Sequence, residues 1–327
     1  MKNKIIETLI AAEKFHNNIE ENANKRLISE KADVVTEADM EIGDFIIGKL
    51  LDSQYAITVE SEEYGKQRNF NNGNEDIYIA IDDIDGSNNL RVGEGVLPYC
   101  SMIVAFKKDG QEENLYKFSD YRHAACIDYV SKRIFYTEKG LGRVEQYDLM
   151  GNRQKSSDKN MQNNSGLALT LSADIVSSQR GGTVGYAALS NHAVAVVPSV
   201  LDGVYKNFAI VDSGCSVFEY AMIGMGIRNG YVSSGKKMHE LPLLYAFCKE
   251  TGKQLMDFEM NSYDEMIYDF NGKDATVIAG DENLIEQVHT LIETQQKRNK
   301  QMLRILSELA SKEQNIKDVN DDELNIY

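Results

Sequence analysis

Long apolar runs are missing from this chain of 327 residues. Runs such as Ile103-Val104-Ala105-Phe106 and Ala193-Val194-Ala195-Val196-Val197 fall far short of the roughly 20 residues a membrane-spanning helix needs. No membrane partner is expected. The first residues, Met1-Lys2-Asn3-Lys4-Ile5-Ile6-Glu7, meet an acid too early to build a signal-peptide apolar segment, so a cytoplasmic protein is the expectation. Paired cysteines are missing as well. Cys100, Cys126, Cys215 and Cys248 stand far apart with no CxxC, which removes support for a zinc or redox site and points to free thiols. Positive charge is scarce: 35 Lys and Arg face 51 Asp and Glu, for a formal charge of −16. Such a field repels a phosphate backbone, so nucleic-acid binding is disfavoured. A small anion can still bind where a metal cluster reverses the local sign. No internal repeat is visible.

The length suffices for one large or two moderate domains, and an apolar fraction of 42% is ordinary for a soluble protein. Ile5, Ile6, Leu9, Ala12 and Phe15 predict a helix over 4–20. A second is predicted from Thr36 towards Leu51, with Met40, Phe45, Ile46 and Leu50 buried and Thr36-Glu37-Ala38-Asp39 as a capping box. Strand-like runs follow from Ala56 to Val59, Ile77 to Ile81, Met102 to Phe106, Ala124 to Val130 and Arg133 to Thr137, with a turn at Asn71-Asn72-Gly73-Asn74. Asp148 to Ser165 is polar and aperiodic, the best candidate for a domain junction. Beyond it come a strand from Leu167 to Leu171, a helix from Val184, a strand from Gly203 to Tyr205 and a helix near Asp212. Strands near Tyr231 and from Thr276 to Ala279, then a helix over 282–292, complete the second half. The apolar stripe lapses over 294–301 and resumes at Met302, Leu303, Leu306 and Leu309; the acidic end, Asp318 to Tyr327, is expected to fray. Strands mixed with helices in both halves predict a layered α/β protein. Its parts are an N-terminal α+β half, 1–150, with a metal and phosphate loop; a C-terminal α/β half, 165–292, with substrate-side residues; and a charged helical tail, 293–327.

Asp82-Asp83-Ile84-Asp85-Gly86-Ser87-Asn88-Asn89 directly follows an apolar strand. Asp82 and Asp85 are hard oxygen donors suited to Mg²⁺, and a carbonyl between them can add a third ligand. Gly86 permits a tight turn whose N–H groups could form an anion-binding nest. The same residues could instead make a turn in which the aspartates cap backbone amides. Three acids in four residues repel one another unless a cation or hydrogen bonds offset the charge, which favours metal. Glu60-Ser61-Glu62-Glu63 reads alone as a solvated loop, Asp212 as a helix N-cap and Asp39 as the capping-box acid. Their joint arrangement carries the information.

The chain resembles the inositol monophosphatase superfamily of Mg²⁺-dependent, lithium-sensitive phosphatases over nearly its whole length. Asp33-Val34-Val35-Thr36-Glu37-Ala38-Asp39 resembles D-x-V-T-x-x-D, Ser61-Glu62-Glu63 resembles G-E-E, and Asp82 to Asn89 resembles D-P-[IL]-D-G-T-x-N, the most specific of the motifs. Lys139-Gly140-Leu141-Gly142 is similar to K-G-x-G, Thr183 to Ala188 to S-x-G-x-A-A, and Leu201 to Tyr205 followed by Asp212 to the D-A-Y strand and W-D motif. Ala275 to Gly280 resembles the last strand.

The resemblance implies a layered αβαβα sugar-phosphatase fold with mixed sheets. It implies a phosphatase of a small phosphomonoester, inositol monophosphate or a related sugar phosphate, acting through metal-activated water. Glu62, Asp82 and the Ile84 carbonyl would hold one metal; Asp82, Asp85 and Asp212 would hold a second. The expected cofactor is Mg²⁺, two or three per site, with Mn²⁺ as a substitute and Li⁺ as an inhibitor. Ser87, in place of the family's threonine, would act with Asp39 on the attacking water, and Glu62 completes this catalytic set. Gly86, Ser87 and Asn88 would hold the phosphate through backbone amides; Asp85, Ala187 and Lys206 would face the rest of the substrate. A homodimer is the expected assembly.

No role falls to His16, His123, His192, His239 or His289, which form no cluster in the sequence. Asp83 replaces the family's proline and is expected to face water; Val211 replaces its tryptophan. Lys206, near a position where inositol-preferring members carry a glutamate, favours a second phosphate and thus a bisphosphate such as fructose 1,6-bisphosphate. Activity on 3′(2′),5′-bisphosphate nucleotides is a further alternative, weakened because Asn88-Asn89-Leu90 lacks that branch's Lys-Glu. The non-enzymatic alternative is an inactive relative that binds phosphorylated ligands.

Overall fold

The first apolar stripe forms a helix over Lys2–His16, and Thr36 caps a second over Glu37–Leu51. The computed structural model describes residues 1–19, 27–29, 35–69, 76–93, 95–107, 115–157, 168–173, 209–211, 213–272 and 275–294, with positions 297, 300, 301 and 304. The capping box is reciprocal: the Thr36 hydroxyl accepts from the Asp39 N–H while the Asp39 carboxylate accepts from the Thr36 N–H. Ile42, Ile46, Ile47 and Leu50 form the buried stripe. Met40 and Phe45, expected there, lie at its margin, and Phe45 stacks on Phe15 with ring centroids 4.4 Å apart.

Eight strands form the larger sheet. Their spatial order is Arg153–Ser156, Glu145–Tyr147, Arg133–Glu138, Tyr121–Asp128, Cys100–Phe106, Asp76–Asp85, Ala56–Ser61 and Gly65–Arg68. Asp76–Asp85 pairs parallel with Ala56–Ser61 and antiparallel with Cys100–Phe106, so the sheet is mixed. Strand periodicity sends alternate side chains to opposite faces. Ile77, Ile79 and Ile81 pack with the first two helices, whereas Tyr78 and Ala80 join a core with the helices Ser216–Gly224 and Leu241–Glu250. A second, five-stranded sheet covers the far side of that helix pair in the order Ala209–Val211, Ala168–Ala173, Gly230–Lys236, Ala275–Gly280 and Gln254–Met256. Tyr231, Val277 and Ala279 face the pair. Val232 and Ile278 face the other way, onto Leu284, Ile285, Val288 and Ile292 of the helix over 282–294. The layers therefore run αβαβα, as the resemblance implies. Among the described residues no helix is long and apolar enough to cross a membrane.

Two differences from expectation have physical reasons. The helix Leu241–Glu250 buries nearly every residue and shows no polar face from which a helical period could be read. Arg153–Ser156, within the stretch taken as a junction, is an exposed edge strand, where polar residues are the rule. The expected turn at 71–74, the helix from Val184, the strand at 203–205 and nearly all of the tail lie outside the described residues.

The Lys139-Gly140-Leu141-Gly142 turn is tied to the middle layer by Glu250. Its carboxylate accepts from Gly140 N–H at 2.8 Å, from Gly142 N–H at 2.5 Å and from the buried Tyr121 hydroxyl. Glu250→Ala should lower the unfolding free energy by about 1–3 kcal/mol, the cost of stranding those donors. Urea denaturation would read this, and an unchanged midpoint would show that the turn holds without the carboxylate.

Candidate active site

The strand Asp76–Asp85 runs between the two helical layers and ends in a bend. Pairing with Cys100–Phe106 shifts register between Asp82 and Asp85, an irregularity that re-aims side chains. Gly86 follows at φ 90°, where a Cβ would meet the Pro98 carbonyl and the Cys215 Cβ at 3.2 Å each. Glycine is needed for both the backbone angle and the space. Ser87 then opens a short helix, Ser87–Gly93, with Asn88 exposed on it.

Ser87 Oγ lies 2.7 Å from Asp39 Oδ1 and 3.1 Å from the Ile84 carbonyl oxygen. Asp39 Oδ2 meanwhile accepts from the Thr36 N–H at 2.6 Å and from the Thr36 hydroxyl. One carboxylate thus both caps a helix and aligns Ser87. Burial raises the Asp39 pKa against the opposing hydrogen bonds from Thr36 and Ser87.

The other acids gather beside this pair. Asp85 Oδ2 accepts from the Val217 N–H at 2.6 Å and lies 3.1 Å from Cys215 Sγ, so it caps the helix Ser216–Gly224 from across the interface. Burial, then the charge of Glu240, pushes its pKa to about 6. Asp82 is buried and rises well above the usual carboxylate range, through desolvation first and then the charges of Asp85, Glu62 and Glu240. Glu62 sits at the rim with its side chain 29% exposed. Burial raises its pKa, but His239 and Lys237 outweigh that and hold it at about 2.

Those two partners come from the segment between the strand Gly230–Lys236 and the helix Leu241–Glu250. Lys237 Nζ is 2.6 Å from Glu62 Oε1, and His239 Nε2 is 3.1 Å from Glu62 Oε2. Lys236 Nζ is 2.6 Å from Glu240 Oε2, with both side chains buried. Glu62, Asp82 and His239 each offer a ligand atom within 4.8 Å of the others. His239 therefore joins the acids, against the expectation that no histidine does. Glu240 is a second residue that sequence reasoning missed. In the sequence Lys236-Lys237-Met238-His239-Glu240 follows a strand end and precedes an apolar run, which by itself marks no contact with the other acids.

Of the residues expected here, the structure brings together Asp39, Glu62, Asp82, Ile84, Asp85, Gly86, Ser87 and Asn88 around one bend. Asp212, Ala187 and Lys206 lie outside the described residues. Ser213, next to Asp212 in sequence, is anchored: Asn89 Nδ2 donates to its carbonyl and to that of Pro98, both at 2.8 Å.

Asp83 does not face water. It is 1% exposed, accepts from Ser61 Oγ at 2.6 Å, and its other oxygen makes no hydrogen bond. It lies against Gly43, where a Cβ would come within 2.6 Å of Asp83 Oδ1. Side chains alternate along the strand, so Asp83 enters the layer opposite to Asp82. Burial pushes its pKa up to about 7.

No protein-family model matches the chain, and no curated protein matches it in sequence. Solved structures do match in fold. The extragenic suppressor protein suhB of Bartonella henselae aligns with a TM-score of 0.62 at 14% identity, over 89% of this chain and 97% of that one. Fructose-1,6-bisphosphatase of Leishmania major gives 0.66 at 13% identity, over 89% and 93%. The IMPase of Thermotoga maritima gives 0.59 at 15% identity, over 88% and 96%. This chain has the fold of these proteins almost from end to end; at such identities the likeness establishes architecture and nothing finer.

The Asp83 carboxyl makes stability depend on pH. Folded, it keeps a proton to about pH 7; unfolded, it releases it near 4. Its contribution is fully present below about pH 4 and is lost as pH rises towards 7. Asp83→Asn, which cannot ionise, should gain stability relative to the wild type across that window in chelator-treated protein. Chemical denaturation at pH 4.5, 6 and 7.5 would measure the gap; a constant gap would mean that Asp83 is ionised throughout.

Proposed function

We propose that this chain is a metal-dependent phosphatase of small sugar phosphates and a member of the inositol monophosphatase superfamily. The observation that carries the proposal is the Ser87–Asp39 hydrogen bond beside the buried Asp82 and the half-buried Asp85, at the end of a strand in the αβαβα fold. A divalent ion bound there would lower the pKa of a water and offset charge on the phosphate and the leaving oxygen. Glu62, Asp82 and the Ile84 carbonyl are assigned to one ion, and Asp82, Asp85 and one further carboxylate to another. The donor set fits, because acids that raise one another's pKa are stabilised by a cation.

The protein's own part is positioning and proton movement. Ser87 Oγ, while donating to Asp39, keeps a lone pair free for the O–H of an attacking water. As that water attacks phosphorus, its proton passes to Ser87 Oγ and the serine proton to Asp39. Burial raises the proton affinity of Asp39, which suits a general base. The Gly86, Ser87 and Asn88 amides are assigned to the phosphate oxygens.

Asp212 and Glu240 compete as the remaining carboxylate. Glu240 is supported by its charge, which raises the pKa of both Asp82 and Asp85, and Asp212 by the motif that the chain resembles. Inositol monophosphate or a related sugar phosphate is the leading substrate. Lys237, with its side chain 33% exposed beside Glu62, adds support for a bisphosphate such as fructose 1,6-bisphosphate.

Purified protein with Mg²⁺ or Mn²⁺ should release phosphate from inositol 1-phosphate, fructose 1,6-bisphosphate or 3′-phosphoadenosine 5′-phosphate. Failure on all three with both metals would sink the assignment. Ser87→Ala should reduce kcat about 100-fold or more, while Ser87→Thr keeps the hydroxyl and most of the rate. Equal rates for Ser87→Ala and wild type would remove the serine from the chemistry.

Asp212→Asn should abolish turnover with little change in far-UV circular dichroism, as the resemblance implies for that residue. Retained turnover in Asp212→Asn together with its loss in Glu240→Gln would move the assignment to Glu240.

A further inference from the structure

We infer that His239 Nε2 is a metal ligand, completing with Glu62 and Asp82 a mixed nitrogen–oxygen site that takes a transition-metal ion such as Mn²⁺, Fe²⁺ or Zn²⁺ in preference to Mg²⁺. The inference rests on the metal-dependent reading of this site and names the class of metal.

His239 is only 5% exposed, and its ring stacks on Phe270 with centroids 5.2 Å apart and planes 25° from parallel. That packing fixes where Nε2 points. The atom is buried and makes no hydrogen bond, although Glu62 Oε2 lies 3.1 Å away, at a geometry that does not form one. A buried imidazole nitrogen that approaches a carboxylate without a well-formed hydrogen bond calls for an explanation. Coordination supplies one. Its distance to Glu62, and the span of 4.8 Å within which all three ligand atoms lie, are close to what one ion with bonds of about 2.0–2.2 Å gathers after small side-chain rotations.

Lys237 leaves room for this, because it engages Glu62 through Oε1 while Oε2 faces His239. Ligand chemistry then selects the ion. Mg²⁺ prefers oxygen donors and sheds water reluctantly. Imidazole nitrogen favours the first-row transition ions, and carboxylate oxygens serve these equally well. The competing account is an ion pair between a protonated His239 and Glu62, with no metal on nitrogen.

Two measurements on the full chain, stripped by chelation and reloaded, separate these accounts. Electron spin-echo modulation on the Mn²⁺-loaded wild type should show coupling to an imidazole nitrogen; its absence overturns the proposal without recourse to any variant. Competition titration should find Mn²⁺ or Zn²⁺ bound at least about tenfold more tightly than Mg²⁺, in the direction set by ligand type. His239→Gln should weaken transition-ion affinity by about tenfold to a hundredfold while leaving Mg²⁺ affinity within a factor of about three, on the scale of changes known around metal ligands. Equal loss for both kinds of ion overturns the selectivity. Nitrogen coupling in a protein that releases no phosphate from any tested ester would uphold the ligand and sink the phosphatase reading. Phosphate release with Mg²⁺ and no nitrogen coupling would do the reverse.

Discussion

Like charges gathered inside a protein raise one another's proton affinity, and either protons or cations must relieve them. Asp82 and Asp85 leave the end of one strand, Glu62 the end of its parallel neighbour, and Glu240 the connection beyond the second sheet's central strand. The offsetting groups come from the same few residues: Lys236 for Glu240, and Lys237 for Glu62. Packing of the two sheets around the helices Ser216–Gly224 and Leu241–Glu250 brings these charges together. The charge balance of the candidate site therefore depends on the packing of that middle layer.

Several side chains serve structure and site at once. Asp39 caps the helix Glu37–Leu51 through one oxygen and holds Ser87 through the other. Asp85 caps the helix Ser216–Gly224 across the interface, and Asn89 bridges the carbonyls of Pro98 and Ser213. Each tie positions a polar group through a rigid element, as a preorganised site requires. Capping by Asp39 and Asp85 is therefore compatible with a place in the candidate site, because the same bonds fix where their carboxylates point.

This double use explains how much of the site was legible in the sequence. The capping box, the central strands and the Asp82 to Ser87 bend are local signals carried by short spacings, and they form at or near the expected places. The helix Leu241–Glu250 was not legible, because an element buried all round loses the alternation that marks a period. Glu240 and His239 were illegible for a related reason: they adjoin the acids only after a helix pair and a second sheet have folded across them. Spacing in sequence cannot report such a contact. A rival pattern at Asp212 offered the same local signature.

Two departures from the motifs that the chain resembles turn out to be one structural change. Ser61 stands where the resemblance has glycine, and Asp83 where it has proline. The Ser61 hydroxyl donates to Asp83 at 2.6 Å, while Ser101 donates to the Asp83 carbonyl. Proline would stiffen the bend by fixing φ. Asp83 instead fastens the bend to the strand end that carries Glu62, and the lack of a side chain at Gly43 leaves the room it needs. A covalent restraint is replaced by a hydrogen bond linking the acids Asp82 and Glu62 through their neighbours. The extra acid need not add to the site's charge, because burial keeps its proton on to about pH 7.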